Sequence, residues 1–248
     1  MFDHVTIRVS DREASERFYD TVLAAIGIEK TGEGDVFGDG CVEFAEWGDF
    51  SIATGDAPTT GLHIGFGVSR LKAVEAFWRA GVEAGYRSDG EPGPRPEYGD
   101  DYHGSFLLDP DGNSIEAALH ENVRAGGNID HLWIRVADLD ATCAFYERLS
   151  PFTCFECRRR LPERVHFRGR SASFALVADL DRPLTQNLHV AFGTDSNETV
   201  DRFHAAALAS GYRDNGAPGE RPQYHTGYYG AFVFDPAGTN VEVVNHNR

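Results

Sequence analysis

Apolar and polar residues alternate from Asp3 to Val9, with Val5, Ile7 and Val9 on one face and His4, Thr6 and Arg8 on the other. A period of two predicts a half-buried strand. The period then lengthens. Ala14, Phe18, Val22 and Ile26 recur every fourth residue behind a capping Ser10 or Asp11, and Gly27 stops the run, which predicts a helix. Residues 28–54 hold short strand-like pieces between Gly32, Gly34, Gly38, Gly40 and Gly48, a meander of about three strands. Alternation restarts at Leu62-His-Ile-Gly-Phe66, where His63 and Gly65 oppose Leu62, Ile64 and Phe66. A helix is expected over residues 69–84, with Leu71, Val74, Phe77 or Trp78, and Val82 inward and Gly85 as its stop. The Gly- and Pro-rich stretch 86–102 predicts a long loop, and the turn Asp109-Pro-Asp-Gly112 joins strands over 105–108 and 114–118.

The programme then repeats. Residues 211–224 match residues 85–98 at 9 of 14 positions with a shift of 126. Asp130-His-Leu-Trp-Ile-Arg-Val136 restates the first strand, and Asn187-Leu-His-Val-Ala-Phe192 the fifth. Asp138 is expected to cap a helix carrying Ala141, Phe145 and Leu149 and stopping at Pro151; Thr194 or Ser196 caps one ending at Gly211. A period this long is not that of a solenoid. It predicts tandem duplication of a whole domain, 1–120 and 129–248, around a linker near 119–128.

Composition narrows the class. With 248 residues, 41% of them hydrophobic, each half can bury a core. No apolar run reaches the roughly 18 residues of a membrane helix, and the N-terminus has no secretory pattern, so a cytoplasmic protein is expected. Cys41, Cys143, Cys154 and Cys157 lack the second ligand pair of a structural zinc site and are expected as free thiols. The net charge of −16 argues against nucleic acid and anionic lipid as partners. It is uneven, with 10 basic against 24 acidic residues over 1–124 and 13 against 15 over 125–248. A small-molecule substrate and a monomer or homodimer are the expected partners.

Three ionisable positions recur in step: His4, His63 and Glu116, then His131, His189 and Glu242. Each opposes the apolar face of its strand; Glu116 opposes Ile115 and Ala117, and Glu242 opposes Val241 and Val243. Each set of three is therefore expected on the face of its sheet away from the helices, where a curled sheet would bring it together. Two imidazoles and a carboxylate with positions left open suit a divalent metal acting as a Lewis acid or generating a nucleophile. Any one of these residues alone reads more simply as a satisfied core or surface side chain. Three together, on matching faces and in both copies, favour the ligand reading, although duplication itself copies residues.

The twofold strand–helix–three-strand unit, the strand-borne His, the Leu-His opening at Leu62-His63 and Leu188-His189, and the endings Asp109-Pro-Asp-Gly-Asn-Ser-Ile-Glu116 and Asp235-Pro-Ala-Gly-Thr-Asn-Val-Glu242 resemble the vicinal oxygen chelate superfamily. That group includes glyoxalase I, bleomycin-resistance proteins, fosfomycin-resistance transferases and type I extradiol dioxygenases. The resemblance spans essentially the whole chain. It implies an α+β fold of tandem paired βαβββ modules, forming cupped mixed sheets with helices on the outer face. It implies His4, His63, Glu116, His131, His189 and Glu242 as ligands of a divalent ion, iron, manganese, nickel or zinc. It also implies a metal-dependent enzyme acting on a small oxygenated molecule, with extradiol-type dioxygenase the best-defined option. The alternatives are a lyase or thiol transferase, and a metal-independent protein that sequesters a drug or toxin, for which the acidic first half would favour a cationic ligand. Two departures stand out. The extra carboxylate of glyoxalase I has no counterpart in Phe50-Ser-Ile-Ala-Thr54 or Ser173-Phe-Ala-Leu-Val177, and Phe106 and Phe232 stand where extradiol enzymes usually carry Tyr.

Arg8 and Arg135 share a strand face with His4 and His131, and either clamp an anionic substrate or lie in solvent. Tyr102 and His103 in the first copy, and His225, Tyr228 and Tyr229 in the second, precede the penultimate strand and are candidates for acid–base catalysis. The same aromatics, with Tyr98 and Tyr224, can instead close the mouth of the cup. The copies diverge here, His103 against Tyr229 and Gly99 against His225, so unequal sites are expected. Arg95 and Arg221, flanked by prolines, are expected to brace the loop.

Overall fold

Each quarter of the chain folds as a strand, a helix and three strands. The computed structural model describes residues 2–34, 41–44, 49–121, 129–170, 172–179 and 181–248. The first quarter is β1 (Phe2–Val9), α1 (Arg12–Ala24), β2 (Lys30–Gly34), β3 (Cys41–Phe44) and β4 (Phe50–Thr54). The second is β5 (His63–Gly67), α2 (Leu71–Glu83), β6 (Ser88–Pro94), β7 (His103–Leu108) and β8 (Ser114–Leu119). The third is β9 (Ile129–Arg135), α3 (Leu139–Thr153), β10 (Glu156–Leu161), β11 (Arg164–Arg168) and β12 (Ser173–Val177). The fourth is β13 (Leu188–Gly193), α4 (Asn197–Ala209), β14 (Arg213–Glu220), β15 (Tyr229–Phe234) and β16 (Asn240–Asn245). Most of the linker expected near 119–128 lies outside the described residues.

Local chemistry sets most of these boundaries. Asp11, Asp138 and Ser196 cap α1, α3 and α4 by accepting from the amides of Ala14, Ala141 and Thr199. Three expectations need correction. The helix expected to stop at Pro151 continues to Thr153, because proline's fixed φ suits a helix and its missing amide forfeits one bond of the last turns. The stretch read as a loop contains β6, and its copy contains β14. Both pair on one side only, with register shifts against β7 and β15, and such bulged edge strands tolerate Gly and Pro. In α2 the buried stripe is Ala73, Val74, Phe77 and Gly81, while Leu71 and Val82 are exposed.

The strands form two mixed eight-stranded sheets, ordered β14-β15-β16-β13-β1-β4-β3-β2 and β10-β11-β12-β9-β5-β8-β7-β6. Their seams are the antiparallel pairs β1–β13 and β5–β9. Each sheet thus draws four strands from each half of the chain. The helices pack the other way, α1 on α2 and α3 on α4, within a half. The core between sheets and helices is rich in aromatics, and Phe2 stacks on Phe155 with ring centroids 4.9 Å apart, joining the two halves.

The turns before β8 and β16 are pinned by buried carboxylates. Asp109 accepts from the amides of Asp111 and Asn113, the Asn113 side chain, and the Tyr19 hydroxyl at 2.8 Å. Asp235 accepts from Ala237, Thr239 and the Tyr146 hydroxyl at 3.1 Å. Burial pushes both carboxyls up to about 6, against the pull of these donors, so both are ionised at neutral pH. Asp109→Asn would turn an amide donor toward existing donors. The expected cost is about 2–3 kcal/mol, read as a lower urea midpoint at unchanged m-value; an unmoved midpoint would show that these bonds do not hold the turn.

Candidate metal centres

Gly65 on β5 lies opposite His131 on β9 and beside Glu116 on the parallel strand β8. A Cβ at position 65 would collide with the His131 ring, so the bare glycine leaves the space that ring occupies. His63, two residues earlier on the same face, completes a group. Its Nε2 is 3.0 Å from His131 Nε2 and 3.0 Å from Glu116 Oε2, and His131 Nε2 is 3.2 Å from that oxygen. On the other sheet, His4, His189 and Glu242 converge, with His4 Nε2 3.0 Å from His189 Nε2 and the two nitrogens 3.6 and 3.2 Å from Glu242 Oε2.

This grouping corrects the one read from chain order. His4 and His63 lie on different sheets, as do His131 and His189, because the first strand of each half pairs with the fifth strand of the other. His131 joins His63 and Glu116, and His4 joins His189 and Glu242.

The outward atoms of the first group fix its inward ones. His131 Nδ1 donates to Asp130 Oδ2 at 2.8 Å. Ser114 Oγ donates to Asp89 at 2.8 Å and so receives His63 Nδ1–H at 3.1 Å. Both Nε2 atoms therefore face the Glu116 oxygen; His131 Nε2 can carry a proton to it, which a bound cation would displace, and the partner Oε1 accepts the Tyr102 hydroxyl at 2.9 Å. Three acceptor atoms this close repel one another unless a proton or cation sits between them. Donors about 2.0–2.1 Å from one ion lie roughly 3 Å apart, so the set fits a divalent metal, and each ligand is held from behind. The second group is less prepared. His4 Nδ1 meets Asp3 at 2.8 Å and Tyr228 holds Glu242 at 2.7 Å, but the Asn240 amide nitrogen faces His189 Nδ1 at 2.8 Å. Asn240 donates there, which places the His189 proton on Nε2, toward the group. Glu242 Oε2 is buried without a hydrogen-bond partner.

Electrostatics separate the groups further. Burial would raise the Glu116 carboxyl, but the adjoining imidazoles of His131 and His63 hold it at about 2. Burial would lower His131, yet Asp130 and Glu116 outweigh it and raise the imidazole to about 9, while burial lowers His63. In the second group burial dominates, pushing Glu242 up to about 7 and His189 down to about 4.

The remaining candidates divide sharply. Burial, then the neighbouring carboxylate, pushes the Tyr102 and Tyr228 phenols far up, so both keep their protons and orient the carboxylates. His103 and Tyr229 turn away from the groups; His103 meets the Asp101 carbonyl and Tyr229 donates to Asp201 on α4. His225 touches neither group, but its Nε2 bonds His246 at 2.8 Å, His246 bonds Asp3 at 2.9 Å, and Asp3 holds His4. In the first group the matching chain runs from His131 through Asp130 to His120 at 3.1 Å. Arg8 is exposed and donates to the Thr54 carbonyl, whereas Arg135 is buried and lines a cavity of about 600 Å³ over the His63 group. Arg95 and Arg221 brace their own loops through the carbonyls of Glu91 and Ala217. Asp3, Asp130, His120 and His246 escaped the sequence reading. The dipeptides Asp3-His4 and Asp130-His131, and His120 and His246 at the same shift of 126, were the available signal.

The family model of the Glyoxalase/Bleomycin resistance protein/Dioxygenase superfamily matches residues 1–117 and 128–243. No curated protein matches the chain by sequence. Among solved structures, glyoxalase I from Zea mays is similar with a TM-score of 0.73 at 18% identity, over 99% of this chain and 92% of that one. A putative dioxygenase from Bacillus subtilis subsp. subtilis str. 168 gives 0.70 at 14% identity, over 100% and 85%. At these identities the likeness is one of fold.

In protein treated with chelator, imidazole NMR should find His131 titrating near pH 9 and His189 near pH 4. Because His131 is raised above its unfolded value, its contribution to stability is complete below about 6.5 and disappears as pH rises through about 9. Both rings titrating near 6.5 would contradict the described environments.

Proposed function

We propose a divalent-metal-dependent enzymatic activity for this chain, which belongs to the Glyoxalase/Bleomycin resistance protein/Dioxygenase superfamily. The reacting centre is the His63–Glu116–His131 group. One observation carries the reading: two imidazole Nε2 atoms and a buried carboxylate oxygen converge within 3.2 Å at the wall of a cavity of about 600 Å³. Iron, manganese, nickel or zinc held there would supply a Lewis acid with open positions for two neighbouring oxygens of a small molecule. The chain's own part is positional. Asp130, Ser114 and Tyr102 fix the ligand atoms, and the cavity walls shield them from bulk water. Tyr98 and His120 line the cavity and are among the groups there suited to passing a proton.

A set of two His and one carboxylate with open positions is the donor arrangement of non-haem iron oxygenases. Ring-cleaving dioxygenase is therefore the best-defined activity, with lyase and thiol transfer as further options. The competing reading is a protein that sequesters a drug or toxin without turnover.

The test is metal content of the purified protein, followed by turnover on catechols, hemithioacetals and fosfomycin. A bound divalent ion, with turnover of one substrate class that chelation abolishes, is the expected result. Gly65→Ala should release that ion by crowding His131. Protein that holds no ion, turns over none of the panel and binds a drug tightly would sink the enzyme reading.

A further inference from the structure

The cavity over the His63 group has a wall rich in basic side chains. Arg159 on β10 and Arg164, His166 and Arg168 on β11 line it, as does Arg135 on β9. Alternation places Val165 and Phe167 in the core and the basic residues of β11 on the cup side. Six arginines and six carboxylates line the cavity altogether, with Asp179 and Asp89 near Arg135. Glu116 and Asp130 are committed to the histidines, and Asp89 to Ser114 and Arg182. Among the described residues no carboxylate of β10 or β11 lines the cavity, and none forms an ion pair with Arg159, Arg164 or Arg168.

Two buried donor atoms are also without partners. Arg135 is 6% exposed, and its Nε and His166 Nε2 have no hydrogen-bond partner. Burial, then Arg164 and Arg159, push His166 down to about 4, so the imidazole is neutral and can donate or accept. Unpaired buried donors and adjacent like charges are both costly, and both are relieved by an anion.

Among the described residues the other cup does not repeat this wall. His166 pairs with Ala175, and Ala175 with Trp133, two residues beyond His131; Glu43 pairs with Ser51, and Ser51 with Thr6, two residues beyond His4. By the same pairings Gly32 stands where Arg159 does. One cup carries Arg159, His166 and Trp133; the other carries Gly32, Glu43 and Thr6. The charge of this wall is thus opposite in sign to that of the chain as a whole.

We infer that the His63 cup takes an anionic small molecule, whose carboxylate or phosphoryl group is bound by Arg159, Arg164, Arg135 and His166. The inference rests on the function proposed above only in placing the substrate's reacting oxygens at the His63 group. Distance permits both ends in one molecule. The Arg164 guanidinium lies 4.8 Å from the Trp133 ring, and that ring lies 5.7 Å from the His63 ring.

Benzoate, phenylphosphonate and benzyl alcohol, titrated calorimetrically into the full-length metal-loaded protein, test this. At least one anion should bind at least tenfold tighter than the alcohol, and the better anion identifies the acid group. Arg159→Gln/Arg164→Gln should lose at least tenfold for the anions while keeping its metal content and melting curve. Arg159→Gln alone, at an exposed position, should show part of the loss should the double variant misfold. Glu43→Gln in the other cup should change nothing. Anions that bind no tighter than the alcohol, or a folded arginine variant that binds them as well as the parent, overturn the inference. Metal bound without anion preference defeats this inference alone; anion binding by protein that never takes up metal defeats the function proposed above and leaves this one standing.

Discussion

The antiparallel pairing of β5 with β9, and of β1 with β13, is the constraint on which both candidate centres depend. It sets the first strand of each half against the fifth strand of the other. Only in this register does Gly65 face His131, and only a residue without Cβ allows the ring to reach His63 and Glu116. A slip of one residue would turn the slipped strand's ligand to the core side of the sheet and break up the group. The helices add a second restraint at right angles in topology, since α1 with α2 and α3 with α4 hold each half together while the sheets hold the halves to each other. Each His/His/Glu group is consequently complete within one chain but not within one half.

Much of this was legible in the sequence because strand alternation is a local signal. It put His4, His63, Glu116 and their copies on the faces away from the helices, and the fold class followed from the repeated strand–helix–three-strand programme. The partner of each strand was not legible. A shift of 126 or so carries His4 onto His131 and Val5 onto Leu132, so pairing β5 with β1 or with β9 would bring a histidine toward His63 either way. Duplication thus hides which copy supplies the third ligand. Side-chain direction in the loops was equally hidden. Tyr102 and His103 are neighbours in sequence, yet one donates to Glu116 and the other points to the opposite face.

The two cups keep the tyrosine and aspartate that hold their ligands but have diverged around them. Ser114 leaves His63 a bare inward nitrogen, whereas Asn240 places a proton on the matching nitrogen of His189. His225 extends the hydrogen-bonded chain behind His4, and Gly99 ends it behind His131. The basic wall of the His63 cup has Gly32 and Glu43 as its counterpart. Duplicated frameworks with unequal surroundings are consistent with chemistry at one cup and a supporting role for the other.

The central claim is that ligands are shared across the halves, and metal content of paired double variants tests it most directly. His4→Ala/His189→Ala removes two ligands of one group and should retain the ion of the His63 group at parental stoichiometry. His4→Ala/His63→Ala removes one ligand from each group and should retain none. The reverse outcome, with His4→Ala/His63→Ala keeping an ion that His4→Ala/His189→Ala loses, would contradict the pairing of β5 with β9 and the account built on it.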